Sequence, residues 1–295
     1  MAARKKAYLL LLLNAIIWGA AFPLVKPAFS FISPIQFLYL RYLLASVLIL
    51  PLLIHLLRKH RPNFKTILKI AALETLGAPV ALSLLYLGLA NTSVIEAGLI
   101  GSMYPLLITL GGIFILKEIE EKKEWLGLGL SLLGTILLVL EPIFNGTHLS
   151  FSLKGNMLIL LHNFVVAGYY LTAKRFYKNQ PKLLVTGLGY WVSLLVFFVF
   201  LRFQNIPTTP ALLNIPAVLI ASGYMGVFGS IIALTLYLKG QDIIEASEAT
   251  LFSYLTGIFT IPFAFFLSGE VVTPIQLAAV AIIAAGVFLG EYRKA

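Results

Sequence analysis

Long apolar stretches along the chain are separated by short polar segments. Ten apolar stretches, each near the roughly 20 residues that a helix needs to cross about 30 Å of hydrocarbon, are separated by short polar breaks. The breaks carry turn-forming pairs such as Arg61-Pro62 and Gln180-Pro181. The pattern predicts ten membrane-spanning helices, with approximate bounds Tyr8–Val25, Pro34–Leu57, Thr66–Ala90, Val94–Leu116, Glu124–Leu140, Gly155–Ala173, Leu183–Leu201, Ala217–Leu238, Ala246–Leu267 and Pro274–Gly290.

The composition supports a membrane protein and removes several kinds of chemistry. The chain is 60% hydrophobic and 12% charged, with a mean hydropathy of +0.95, whereas soluble domains are about 45–50% apolar and about 25% charged. The predicted fold class is therefore an all-α polytopic membrane protein without a soluble domain. The absence of cysteine excludes disulfides and thiolate metal sites. With one aspartate and four histidines, no metal site and no cofactor are predicted.

The basic residues predict the orientation, because Lys and Arg accumulate in cytoplasmic loops. With the N-terminus inside, nearly all of them fall on the inner side, and only Lys26, Lys154 and Arg202 fall outside. Both termini are thus predicted to be cytoplasmic. The net charge of +10 is explained by this topology and by attraction to anionic lipid. Nucleic-acid binding needs a basic face on a soluble module, so the predicted partners are the lipid bilayer and a small-molecule substrate, and no nucleic acid.

The two halves of the chain share features at corresponding places. Glu96-Ala97 in the first half is matched by Glu248-Ala249 in the second. We expect one five-helix repeat over residues 1–145 and a second over residues 146–295. Because five is an odd number, the second repeat must be inverted relative to the first. Such inverted repeats build many secondary transporters, with the substrate site near the midplane between the halves.

Several motifs, taken in order, resemble the EamA-type branch of the drug/metabolite transporter superfamily along essentially the whole chain. Two positions depart from the family pattern: Thr256-Gly257 stands where an acidic-Pro or similar pair is usual, and Ala167 stands where the second half often repeats a tryptophan. The motifs that carry the resemblance are Trp18-Gly19-Ala20-Ala21-Phe22-Pro23, Pro34 with Arg41-Tyr42, Leu85-Tyr86 with Ala97 and Ser102-Met103-Tyr104-Pro105-Leu106, and Ala246-Ser247-Glu248-Ala249 with Ser253-Tyr254-Leu255 and Gly269-Glu270.

The resemblance implies a transporter of amino acids, drugs or other small metabolites. The expected function is a secondary-active exporter in a prokaryotic cytoplasmic (inner) membrane, with alternating access between the repeats and proton coupling as an option. No Gly-x-x-x-x-Gly-Lys motif is present, so the chain itself is not expected to hydrolyse ATP. Both a monomer and a homodimer remain open.

Two intramembrane groups are candidates for proton coupling. Glu74 is predicted to lie about 12 Å deep in the third span, where desolvation favours its protonated form. His162 is predicted near half depth in the sixth span, and histidine titrates near neutral pH in water. The alternative for both side chains is a structural hydrogen bond to a neighbouring helix.

Three further charged residues are predicted to be gate residues or structural ion-pair residues. Arg41 lies within the second span and is expected either to pair with Glu96 or to attract a substrate carboxylate. Glu96 and Glu248 begin corresponding spans, where a carboxylate is also favoured by the helix dipole.

The predicted substrate site combines polar and aromatic side chains of the spans. Asn14 and Trp18 share one face of the first helix because they lie four residues apart. Tyr104-Pro105 predicts a kink in the fourth helix, and freed backbone at the midplane is tolerated where it lines a cavity. Helix–helix contact is the alternative for the polar side chains. The full predicted set is Asn14, Trp18, Glu74, Tyr104, His162, Asn163, Tyr170, Tyr224, Ser253 and Thr256.

Two other functions compete with transport. An intramembrane enzyme of the transferase type needs clustered aspartates for Mg²⁺, and an intramembrane metalloprotease needs His-Glu-x-x-His. Neither pattern occurs in the sequence, and the chain is therefore not expected to be an enzyme. A passive channel for small solutes is the other alternative, although nothing in the sequence resembles a selectivity filter.

Overall fold

The computed structural model describes residues 2–89, 91, 100, 103–117, 121–144, 153–268 and 273–291. Within these ranges every regular element is a helix. The α-helices are α1 (Ala2–Gly19), α2 (Ala21–Val25), α3 (Pro34–His60), α4 (Phe64–Thr75), α5 (Ala81–Leu89), α6 (Tyr104–Gly111), α7 (Lys122–Phe144), α8 (Leu153–Phe176), α9 (Lys182–Phe203), α10 (Pro216–Tyr224), α11 (Thr235–Gln241), α12 (Ala246–Ser268) and α13 (Pro274–Glu291).

Short helices of other types connect some of these α-helices. Two 3₁₀ helices cover Lys26–Ser30 and Pro210–Asn214. Three π-helical segments cover Leu76–Val80, Gly112–Leu116 and Met225–Leu234. A π-helical segment is rare and often marks a functional place in a helix. The first and third of them join α4 to α5 and α10 to α11 into continuous long helices.

Local sequence explains where α3 begins and ends. The Ser33 side chain accepts a hydrogen bond from the Gln36 backbone, and the Gln36 side chain accepts one from Ser33, which completes a capping box. Pro34 occupies the first turn, where its missing N–H costs nothing. The helix ends at Arg61, whose φ of 42° is left-handed, just before Pro62.

Seven helical stretches are long and apolar enough to cross a bilayer, which supports the prediction of a polytopic helical membrane protein. Two shorter helices, Tyr104–Leu116 and Pro274–Gly290, are also apolar. The count of ten spans and the cytoplasmic placement of both termini stay predictions. The seven long stretches are Ala3–Ser30, Pro34–His60, Phe64–Gly88, Leu153–Phe176, Lys182–Phe203, Pro216–Gln241 and Glu248–Leu267.

Helices α7 and α13 make the most extensive helix pair of the structure. A Cβ added at Gly127 would lie only 2.5 Å from the carbonyl oxygen of Gly286 and from the Cα of Gly290. Glycines therefore allow the two backbones to touch, as small residues commonly do between membrane helices. These small residues pack α7 against α13 within the chain.

The remaining helices pack around two apolar clusters. One cluster lies between α3 and α9 and includes Phe37, Tyr42 and Phe197. The other surrounds α8 and includes Tyr170 and Tyr237. Helix α1 packs on the third π-helical segment, α11 and α12, whereas α8 packs on α5 and α6. The candidate polar residues of the spans lie at these contacts.

Candidate functional site

Glu74 is a buried carboxylate that forms no ion pair with any described residue. It lies in the last turn of α4, directly before the first π-helical segment, and is only 2% exposed. Its Oε1 accepts hydrogen bonds from the hydroxyls of Tyr169 (3.0 Å) and Tyr177 (2.9 Å), both from the α8 side. Neutral hydroxyls therefore hold this carboxyl group.

Two glycines make room for this arrangement. A Cβ added at Gly189 of α9 would overlap the Glu74 carboxylate, and one at Gly77 would lie 2.5 Å from the ring of Tyr169. Any larger residue at either place would push the carboxyl group or the tyrosine away, because such close contacts cannot be relieved cheaply in a packed interior. The two glycines, which have no side chains, thus leave the space that Glu74 and Tyr169 occupy.

No cation of the described residues forms an ion pair with Glu74. Tyr42 and Tyr190 are each close enough to interact electrostatically with both Glu74 and Arg41, and their ring centroids are 5.6 Å apart. The buried glutamate and the arginine of the second span thus share the same pair of aromatic neighbours. Protonation of Glu74 would break no salt bridge among these residues.

Arg41 has neutral partners among the described residues. Its Nε donates to the Ser230 hydroxyl at 2.7 Å, and its guanidinium carbon lies 5.3 Å from the centroid of the Tyr42 ring. Glu96, the predicted partner, lies outside the described residues, and no described carboxylate pairs with Arg41. Arg41 is therefore held by a neutral hydroxyl and an aromatic face.

The predicted face of α1 binds backbone of the third π-helical segment. Asn14 Nδ2 donates to the carbonyl of Ala233 at 2.9 Å, and Trp18 Nε1 donates to that of Gly229 at 3.1 Å. In return, the Tyr224 hydroxyl donates to the carbonyl of Ile17 at 2.9 Å. In hydrocarbon each unsatisfied backbone group is costly, so side chains commonly complete irregular helix backbone. These three predicted substrate residues act as helix-to-helix links in this structure.

The corresponding face of α8 makes similar links in the other half. His162 Nδ1 donates to the carbonyl of Ala81, directly after the first π-helical segment, at 2.7 Å. A carbonyl only accepts, which assigns the proton to Nδ1. Asn163 Nδ2 donates to the carbonyl of Ile100 at 2.5 Å, and its Oδ1 has no partner among the described residues. His162 therefore uses one ring nitrogen structurally.

An aromatic cluster joins these two faces. The rings of Trp18 and Tyr237 are stacked with centroids 6.0 Å apart, and Tyr237 lies 4.6 Å from Tyr170. Tyr170 in turn lies 5.2 Å from Tyr169, which binds Glu74. The predicted residues Trp18 and Tyr170 are therefore connected through Tyr237, and the cluster leads to Glu74.

The structure places a helix start at Tyr104-Pro105. Helix α6 begins at Tyr104, and Pro105 occupies its first turn. The backbone N–H of Met103 donates to the carbonyl of Ile100 at 3.1 Å. Residues 101 and 102 lie outside the described residues, so the kink in the fourth helix stays a prediction. The Tyr104 hydroxyl faces Ser253 of α12. Thr256 lies within α12, which continues as an α-helix through this position.

Glu248 is another buried glutamate, and it has a cation partner. It lies in the first turn of α12 and is 2% exposed. Its Oε1 accepts from Arg4 Nε at 3.0 Å, from Arg4 Nη2 at 2.9 Å and from the Tyr8 hydroxyl at 2.5 Å. The expectation that Glu248 takes part in an ion pair or gate thus acquires a partner, Arg4, from the first turn of α1.

The sequence reading missed the residues that complete these contacts. Tyr177, Gly189, Ser230 and Arg4 were not among the predicted site residues, because each matters only through a helix distant in sequence. In the described part of the chain, no three His, Cys, Asp or Glu side chains come together as metal ligands would.

Comparisons with known proteins give one consistent result. The sequence profile described as the EamA-like transporter family matches residues 5–140 and again residues 153–290. An uncharacterized transporter of Archaeoglobus fulgidus is 26% identical, over 96% of this chain and 85% of its own. YyaM of Bacillus subtilis, also described as an uncharacterized transporter, is 28% identical over 92% of this chain and 87% of its own.

Two further matches concern the membrane and the fold. YedA of Escherichia coli K12, described as an uncharacterized inner membrane transporter, is 26% identical over 94% of this chain and 89% of its own. A protein of known crystal structure superposes with a TM-score of 0.77 at 16% identity, covering 98% of this chain and 96% of that one. The structural match supports the helical fold.

Proposed function

The chain belongs to the EamA-like transporter family, and we propose that this membrane transporter is a secondary-active exporter of a small organic metabolite, such as an amino acid or a drug-like compound. We place it in a prokaryotic cytoplasmic membrane by analogy with YedA, the inner membrane relative. Proton exchange at Glu74 would couple the export to the proton gradient.

The surroundings of Glu74 carry the coupling proposal. A carboxyl group inside a membrane is costly and is usually functional. Two tyrosine hydroxyls bind one of its oxygens, and no described cation pairs with it. A hydroxyl can donate to either protonation state of a carboxyl group, so Glu74 can gain and lose a proton without breaking a salt bridge. His162 is the weaker candidate, because its Nδ1 is engaged with Ala81.

Alternating access between two inverted repeats is supported by correspondences of sequence and packing. The same family profile matches two successive parts of the chain. The π-helical segments that begin at Leu76 and Met225 follow Asn14 and Asn163 at the same sequence distance. Helix α1, in the first half, binds the long helix that α10 and α11 form in the second half. Helix α8, in the second half, binds the long helix that α4 and α5 form in the first half. Such reciprocal packing suits two halves that rock about a shared centre.

The aromatic cluster of Trp18, Tyr237 and Tyr170 suits a planar or apolar cargo. Aromatic faces bind such groups by stacking, and the cluster extends from the α1 contact towards the Glu74 pocket. The cargo would therefore bind near the group that exchanges the proton. Coupling in which the cargo and the proton compete for one site requires that they bind this close together.

The test is counterflow into proteoliposomes with a panel of amino acids, amines and nucleosides, with and without a pH gradient. We expect saturable counterflow of one chemical class, with stimulation by the gradient. Glu74→Gln should remove that stimulation and leave substrate exchange largely intact, because glutamine keeps the shape of the side chain and cannot titrate. Glu124→Gln changes a buried glutamate of α7 that lies outside the candidate site and serves as the control.

The possible results separate the parts of the proposal. Unchanged gradient dependence in Glu74→Gln would overturn the coupling role of Glu74 and leave the carrier intact. Ion conductance of the vesicles without saturable counterflow would indicate a passive channel and overturn the carrier itself.

A further inference from the structure

A cavity of about 550 Å³ opens between the ends of three helical segments. Lys117 lines it from the end of the second π-helical segment, and Lys174 and Arg175 line it from the last turn of α8. Lys178 follows in the turn after α8, and Asp242 follows α11. Among the described residues that line the cavity, four side chains are cationic and one, that of Asp242, is a carboxylate.

That carboxylate is already engaged with a cation outside the cavity lining. Asp242 Oδ2 lies 2.5 Å from Lys182 Nζ. Burial raises the pKa of Asp242 above its ordinary value, against the lowering effect of the neighbouring lysines. Among the described lining residues, four cations thus accompany one carboxylate, which is itself paired with Lys182. A cavity with this excess of positive charge attracts an anion.

The positive-inside distribution explains basic loops but not this geometry. Basic residues on a cytoplasmic face need only be exposed. Here they come from separate elements and point to one concave space. The Lys174 ammonium is fixed by donation to the carbonyl of Ile244 at 2.7 Å, so part of the lining is held in place. Ile115 and Leu116 give the cavity an apolar side next to the charges.

We propose that this cavity is a binding site for a phosphate group, carried either by an anionic lipid headgroup or by a soluble phosphate ester. Lysine and arginine are the usual phosphate ligands in proteins, the first as a point charge and the second as a fork. The volume lies within the range of about 300–1,000 Å³ that is typical of small-ligand sites. The apolar side suits the glycerol and acyl part of a lipid. The site is independent of the transport proposal and of Glu74.

The test measures the thermal unfolding midpoint of the full-length protein in detergent with three added probes. Short-chain phosphatidylglycerol represents the lipid source, glycerol phosphate represents the soluble ester, and phosphatidylcholine of the same chain length is the zwitterionic control. The double variant Lys117→Gln/Lys178→Gln removes two cations of the cavity. The double variant Lys59→Gln/Lys65→Gln removes two exposed cations from around the turn between α3 and α4 and is the matched control.

We expect one phosphate-bearing probe to raise the midpoint of the wild type and of the control variant. In Lys117→Gln/Lys178→Gln its apparent affinity should fall on the order of tenfold or more, since each basic residue contributes substantially to binding an anionic headgroup. A response to phosphatidylglycerol alone identifies a lipid site, and a response to glycerol phosphate identifies a site for a soluble ester. Equal losses in both double variants, or no response to either phosphate probe, would overturn the proposal.

Discussion

Two buried glutamates of this transporter, Glu74 and Glu248, are equally inaccessible and differ in what binds them. Each is 2% exposed. Glu248 accepts two hydrogen bonds from the Arg4 guanidinium and one from a tyrosine. Glu74 accepts only from the hydroxyls of Tyr169 and Tyr177. The partner, and not the burial, distinguishes the ion-paired Glu248 from Glu74, which is held by neutral hydroxyls.

The positions of the two groups reinforce this difference. Glu248 lies in the first turn of α12, where the helix dipole also favours a negative charge. Glu74 lies in the last turn of α4, where the dipole disfavours one, although the helical path continues through the π-helical segment. At Glu248 the Arg4 cation and the helix dipole both favour a negative charge, whereas the polar partners of Glu74 among the described residues are two neutral hydroxyls. The comparison predicts that changes around the two groups have different consequences.

The largest effect is expected from Gly189→Ala. The added Cβ would overlap the Glu74 carboxylate, and overpacking of an interior typically costs about 1–3 kcal/mol. We expect a lower thermal unfolding midpoint in detergent together with loss of gradient-driven flux. Gly168→Ala in the neighbouring helix α8 is the matched control, because an added Cβ there meets no atom within 4 Å.

The control should behave in the opposite direction. Alanine replaces glycine in a helix with a gain of roughly 0.5–1 kcal/mol when there is space, so Gly168→Ala should leave flux unchanged and unfold slightly later. If Gly189→Ala also left flux and stability unchanged, the close contact between α9 and Glu74 would be refuted.

The next largest effect is a difference in destabilisation between variants of the two residues of the Glu248–Arg4 ion pair. Arg4→Met leaves a buried carboxylate with one remaining hydroxyl donor, and loss of hydrogen bonds to a charged group costs about 1.5–3 kcal/mol. Glu248→Gln should cost about 1 kcal/mol or less, because the Arg4 side chain is 36% exposed and can reach water. Thermal unfolding of both variants measures the difference.

Lys5→Met controls for the loss of one basic residue near the N-terminus, since Lys5 is exposed. Equal destabilisation by Arg4→Met and Glu248→Gln would show that the pair behaves as a surface contact. The contrast between Glu74 and Glu248 would then lose its physical basis.

The sequence alone predicts the apolar segments and the depth of Glu74 but not the partners of Glu74. A run of about 20 apolar residues identifies a span without knowledge of its neighbours. The predicted segments accordingly coincide with helices wherever they fall within the described residues. Tyr177 and Gly189, in contrast, reach Glu74 only because α4, α8 and α9 pack together. One sequence without aligned relatives holds no signal for that contact.

For the polar residues of α1 and α8, too, the sequence predicts the position of a side chain but not its partner. Their positions predict that Asn14 and Trp18 share a face, and both do bind the same segment. Their acceptors are backbone carbonyls of a π-helical stretch, and that local geometry has no signature in the side chains. Identifying these residues as substrate ligands or as helix links therefore depends on the neighbouring helix, which the sequence does not specify.

The smallest effect, at pH values where Glu74 is protonated, is expected at the two hydroxyls that bind Glu74. Tyr169→Phe and Tyr177→Phe should each cost about 0.5–1.5 kcal/mol while Glu74 is protonated, and about 1.5–3 kcal/mol once it is ionised. Burial and the neighbouring Glu74 raise the pKa of Tyr177, so its hydroxyl keeps its proton throughout. Any change of the cost with pH then reports the proton of Glu74. Thermal unfolding over a pH series should show the cost of Tyr177→Phe rising with pH.

Two control experiments distinguish titration of Glu74 from a general effect of pH on stability. In Glu74→Gln the cost of Tyr177→Phe should be small and independent of pH, because the side chain no longer titrates. Tyr254→Phe removes a buried hydroxyl that has no hydrogen-bond partner among the described residues, and it should cost nothing at any pH. A cost of Tyr177→Phe that stays constant with pH in the wild type would mean that Glu74 keeps one protonation state throughout, and it could not then carry the coupled proton.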